Sequence, residues 1–229
     1  MSTPPAAKRK RGENAPITRS HIWYQDGSLV LQAGQHQFRV HWGVVSEHSS
    51  FFRDMQALPQ PPDQPTVDGC PVVELSDDLM DVEFLLKALY TPVAAIARTF
   101  LAQTALPLHV IGALLKLGKK YDFRALLDSA VARLTFEYPA TLEEYDRLLC
   151  DDAPEYTPTR IVPYDALEFD VISLARESDI VSVLPSAYYR LVLTSYSMAS
   201  REMTGLWLLS HQLTYDGASE VAKNSHMLK

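Results

Sequence analysis

HQFRVHWGVVSEHSSFFRDM, residues 36–55, carries two periods that meet at Trp42. From His36 to His41 the pattern alternates. Phe38 and Val40 fall on one face, and Gln37, Arg39 and His41 on the other, as in a half-buried strand. From Val44 onward, apolar positions recur at helical spacing through Val45, His48, Phe51, Phe52 and Met55. Ser49-Ser50 interrupts that stripe and offers a cap for a second short helix. A strand that runs directly into a helix pair points to an α+β fold.

Working outward, Ala33-Gly34 is a turn and Ser28–Leu31 a strand, so 28–41 reads as a β-hairpin. Asp26-Gly27 is another turn, and the folded region begins near Ile22-Trp23-Tyr24. Residues 1–19 hold three prolines, no aromatic residue and the run Lys8–Arg11. They read as a disordered basic tail. On the other side, Leu58–Gly69 is a proline-rich loop and Val72–Leu75 a short strand. Ser76-Asp77-Asp78 supplies caps for a helix with the stripe Val82, Leu85, Leu86, Leu89 that ends at Pro92. Helices follow over Pro107–Leu117 and from Phe123 to Leu134, the latter with Asp122 as its N-cap. These stripes place Phe51, Leu86, Leu89, Leu127 and Val131 in the core. Beyond Phe136 the strand signals vanish. Thr141–Leu149, Ala166–Ser178, Ser186–Ser195 and Arg201–Thr214 read as helices, and Gly217 stops the last. The organisation is a tail (1–19), an α+β domain (20–135), an all-α extension (136–217) and a flexible tail (218–229).

Six segments fall on this frame in order: Asp26; Phe38-Arg39-Val40-His41; Phe51-Phe52-Arg53-Asp54-Met55; Val72-Val73-Glu74-Leu75; Leu85–Thr91; and Leu115–Tyr121. Together they resemble a BTB/POZ domain, in wording similar to the BTB proteins expanded in mushroom-type fungi. The resemblance covers Ile22–Leu134. It implies a three-stranded sheet flanked by helices, with no catalytic residue, no cofactor and no metal. The implied role is protein–protein interaction, with a second copy or another BTB protein as partner. Ile22, Trp23, Tyr24, Asp26, Trp42 and Val45 then form the candidate interaction surface, because the family's dimer contact lies at this segment and the following helix. Many dimeric members pair the acid matching Asp26 with a base directly after the His of the second strand. Here that position holds Trp42, so Asp26 must be exposed or take a nearby His or Arg, or else the usual dimer is absent. A second implied role is substrate adaptor for a cullin ubiquitin ligase. Such members often carry an apolar-x-Glu motif after the Phe-rich helix, and Gln56–Pro71 contains no Glu.

Charge narrows the choice. The chain of 229 residues has a net charge of −7, yet residues 1–20 carry +4, which leaves −11 on the remainder. An acidic body repels phosphate backbones, so the folded part is not a nucleic-acid binder. A transcriptional regulator remains an alternative only through the basic tail, where Lys8–Arg11 is also a candidate nuclear-import signal. The longest uncharged apolar stretch, Thr99–Leu115, is too short and too polar to span a membrane. Two cysteines 80 residues apart, with no secretory h-region, point to an intracellular protein, nuclear or cytoplasmic. Candidate chemistry is sparse. Gly112–Lys119 has the wrong spacing for a phosphate loop and lies on a helical pattern. His41 and His48 lack a third ligand, and Cys150 sits beside two acids that disfavour a thiolate.

Overall fold

The computed structural model describes residues 16–59, 63–90, 104–148 and 156–194. The run Lys8–Arg11, Pro92, Cys150, the helix expected over Arg201–Thr214 and the tail after Gly217 lie outside them.

The described residues divide into two compact units, 16–137 with 156–163, and 138–148 with 164–194. In the first unit the expected hairpin is present as β2 (Leu29–Ala33) and β3 (His36–Val40), antiparallel with Leu31 opposite Phe38. It is not the first element. Strand β1 (Thr18–Trp23) precedes it and pairs in parallel with β3. The loop expected over 58–69 likewise contains a strand, β4 (Thr66–Val67), antiparallel to β5 (Cys70–Leu75). The turn between them is Asp68-Gly69, with φ of 51° and 76°, the left-handed pair that a two-residue hairpin turn requires. The sheet order is β1-β3-β2-β5-β4, so the three expected strands are the centre and two further strands form the edges. The sheet is curled. Trp23 packs with Val67 over Val30, Cys70 and Val72, and Arg19 of β1 pairs with Asp68 at 3.1 Å.

Helices α1 (Trp42–His48) and α2 (Ser50–Ala57) follow β3. Ser49 between them is extended, and its hydroxyl accepts from Phe52 N–H at 3.1 Å, the expected cap. That extended residue also resets the helical phase. Phe52 therefore turns inward, while Phe51, expected in the core, is 40 % exposed; His48, on the same stripe, is exposed too. Helix α3 (Leu79–Tyr90) buries Val82, Leu85 and Leu86, with Leu89 half-buried, and Asp78 Oδ1 caps it through Met80 N–H at 2.8 Å. Helices α4 (Leu108–Lys120) and α5 (Arg124–Glu137) pack closely. A Cβ on Gly118 would lie 3.1 Å from Leu127 Cβ, so only glycine allows this approach without displacing Leu127. Asp122 does not cap α5. It takes φ 54° and directs its carboxylate to Ser50 and Arg124, while the carbonyl of Phe123 opens the helix. Leu127 and Val131 are half-buried rather than core; Ala130, Leu134 and Phe123 fill the interior instead.

The second unit contains α6 (Leu142–Leu148), α7 (Leu167–Glu177), a 3-10 turn (Val181–Val183) and α8, residues 184–194. Its core is Tyr138, Tyr145, Leu167, Val171, Ala175, Val183 and Ala187. The guanidinium of Arg190 lies 4.5 Å over the ring of Tyr138.

Candidate functional site

The turn after β1, the end of β3 and the end of α3 meet at one place. Backbone bonds fix the first two. Tyr24 N–H donates to Arg39 O at 3.0 Å, Ser28 N–H to Val40 O at 2.8 Å, and Trp42 N–H to the Ser28 hydroxyl at 3.1 Å. Arg39 does not face a partner; its Nε donates to Gly27 O at 2.9 Å and stiffens the turn. These contacts bring Tyr24, Asp26 and Trp42 to the same end of the sheet.

Asp26 is 84 % exposed, and one carboxylate oxygen lies 3.1 Å from His41 Nε2. The hydrogen bond from His41 holds the Asp26 carboxyl below the usual carboxylate range, with its own backbone N–H helping. The other ring nitrogen of His41 lies 3.0 Å from the Tyr90 hydroxyl, whose oxygen also accepts His41 N–H at 2.7 Å. A neutral imidazole satisfies every partner when Nε2 carries the proton. Nε2–H then donates to Asp26, and Tyr90 O–H donates to Nδ1. Tyr24 stacks on Tyr90, ring centroids 4.5 Å apart.

Burial pushes the Tyr90 phenol up to about 12, against the opposing pull of His41 N–H. The raised value sets a sign. The unfolded chain loses this proton near its ordinary pKa of about 10, while the folded chain keeps it, so stability falls as pH rises from there through the folded pKa. Tyr90→Phe should flatten that fall in chemical denaturation across the window. An unchanged slope would show that Tyr90 ionises alike in both states.

The six surface candidates separate into two groups. Ile22 and Val45 are buried, 8 % and 0 % exposed, and support the surface from beneath. Trp23 and Trp42 are half-buried, Tyr24 is half-buried against Tyr90, and Asp26 projects. The guanidinium of Arg19 covers Trp23 at 4.5 Å. Tyr90, Arg19 and Asp68 were not among the sequence candidates. The Asp-Gly dipeptide at 68–69 was a readable turn signal; nothing local marks the other two.

Among the described residues no cluster of three His, Cys, Asp or Glu side chains could hold a metal ion, and Gly112–Lys119 lies on α4 rather than in a phosphate-binding loop. No described helix is long and apolar enough to cross a membrane. Residues 24–136 match the BTB/POZ domain family. No curated protein matches the chain.

Proposed function

Residues 24–136 are a BTB/POZ domain, a protein–protein interaction module and generally a non-enzymatic one; from that premise we propose that this chain self-associates as a homodimer through Trp23, Tyr24, Asp26 and Trp42. One observation carries the reading. Asp26 is satisfied within its own chain by His41, at 3.1 Å, so the surface needs no basic residue from a partner. Trp42, half-buried beside that pair, then offers an apolar contact where an ion pair would otherwise stand. Trp and Tyr are enriched among residues that dominate binding energy. A stable interface needs roughly 1,200–2,000 Å² of total buried area, more than these four side chains supply. The partner's copy of α1 and the residues around β1 are the nearest surface to complete it. Residues 138–148 and 164–194 form a separate compact unit.

Trp42→Lys is the informative variant. The substitution would place a desolvated ammonium in an apolar contact, so this variant should run as a monomer on gel filtration at concentrations where the native chain is dimeric. A dimer that persists and becomes salt-sensitive would mean that charge, through Asp26, holds the contact instead.

An adaptor role has one observation in its favour. Phe51 on α2 and Leu58 just after it are 40 % and 64 % exposed, two large apolar residues at the surface. Against it stands the absence of Glu from 56–71. Retention of a cullin by the tagged full chain, lost in Phe51→Asp, would support this second reading, and no retention would remove it.

A further inference from the structure

Residues 156–163 return to the first unit as an irregular segment that bends at Thr159-Arg160 and is held there by backbone and side-chain bonds. Leu106 and Ile161 form a parallel β-bridge. Leu106 N–H donates to Arg160 O at 3.1 Å, and Val162 N–H to Leu106 O at 3.0 Å. Glu137, fully buried at the end of α5, gathers the rest. One carboxylate oxygen accepts Thr159 N–H at 2.9 Å, Arg160 N–H, and the Thr159 hydroxyl at 3.2 Å. The other accepts the Tyr156 hydroxyl at 2.6 Å. One helical turn earlier, Arg133, 1 % exposed, donates through Nη1 to the carbonyls of Thr104 at 2.6 Å and Arg160 at 3.1 Å. The Arg160 guanidinium lies 3.3 Å above the Phe136 ring, and Ile161 is fully buried.

The side chains of Glu137 and Arg133 hold main-chain groups of the segment, one backbone bridge adds to them, and the segment's own side chains supply the selection. The pattern is specific. Two successive residues must offer N–H groups to one carboxylate, which forbids proline at 159 and 160. The next position must be apolar enough to be buried. An arginine must lie over an aromatic face, and an aromatic hydroxyl must stand three residues before the threonine. We propose that α5 and residues 104–106 form a peptide-recognition site for a segment of this pattern bent at its second and third contact residues, and that Tyr156–Pro163 is its resident ligand, bound in cis. A tethered ligand acts at an effective concentration of order millimolar, so a partner segment of the same pattern enters only when the resident one is released. This site is separate from the surface at Trp42 and does not depend on it.

The test uses the full chain and a fluorescein-labelled synthetic peptide spanning Tyr156–Pro163, with binding read by anisotropy. Ile161→Asp removes the anchor of the resident segment and leaves the α5 side untouched. That variant should bind the peptide at least about tenfold more tightly than the native chain does, a difference of about 1.4 kcal/mol. Adding Glu137→Gln should abolish the gain. Equal binding by the native chain, or none by a folded Ile161→Asp chain, overturns the proposal. If Ile161→Asp loses its helical circular dichroism, hydrogen exchange on the native chain decides. Thr159 and Arg160 amides should be protected, and Glu137→Gln should release them while the β2–β3 amides stay protected. Free exchange of those two amides in the native chain also overturns it.

Discussion

Phe52→Ala should lower the unfolding free energy by about 3–5 kcal/mol, the range for deleting a fully buried aromatic side chain. Phe52 is 1 % exposed, and its ring stands between Tyr121 and Phe123, with centroids 5.5 and 5.8 Å away. Its own backbone N–H is held by Ser49, whose hydroxyl in turn donates to Tyr121 O. The site therefore cannot collapse easily onto the cavity, because Ser49 and Ser50 pin the start of α2 to Tyr121 and Asp122 in the α4–α5 turn. Phe51 is the internal control. It is 40 % exposed, so Phe51→Ala should cost clearly less, within the roughly 0.5–2 kcal/mol range of partly buried truncations. Chemical denaturation of both variants checks the pair. Equal costs, or a larger cost at Phe51, would show that the helical phase after Ser49 has been assigned wrongly.

Glu137→Ala is the second large effect. Among the described residues, four donors converge on this carboxylate: two backbone N–H groups and the hydroxyls of Thr159 and Tyr156. Each buried donor left without a partner costs about 1–3 kcal/mol, and the costs do not add because part of the segment can detach into water. Arg133, one turn away and buried, would also lose the favourable influence of a nearby carboxylate. The total expected is about 3–5 kcal/mol, well under the sum over the separate donors. Glu137→Gln keeps one acceptor oxygen and should fall between the native chain and Glu137→Ala. A loss under about 1 kcal/mol for Glu137→Ala would mean that water already serves these donors.

The parts of the fold that could be read from sequence are those with a local period. Strand β3 alternates and α3 to α5 carry apolar stripes, so neighbouring residues alone reveal them. Strand β1 is different. Thr18–Trp23 has no clean alternation, and it exists because β3 offers an open edge and Trp23 finds Val67, Cys70 and Val72 across the curled sheet. Strand β4 has two residues, too few for any period, although Asp68-Gly69 marked its turn. Phe51 was misplaced because a single extended residue shifts a helical register that spacing treats as continuous.

At the site, Asp26 was legible. The missing base at position 42 left exposure or a nearby His among the alternatives, and the structure has both. Tyr90 was not, since its partner is 49 residues away. Arg133 and Glu137 stand four apart on a helix, a spacing that usually marks a solvated pair. Their partners, Thr104 and the returning segment 156–163, are distant in sequence, so nothing local marks the pair as buried.

Self-association through an apolar contact at Trp42 is most directly tested by the molar mass of the full chain from light scattering, at tens of micromolar, in low and in high salt. Apolar burial is not screened as exposed charge is, so the account predicts about twice 25.7 kDa in both conditions. A mass of one chain under both conditions would contradict it.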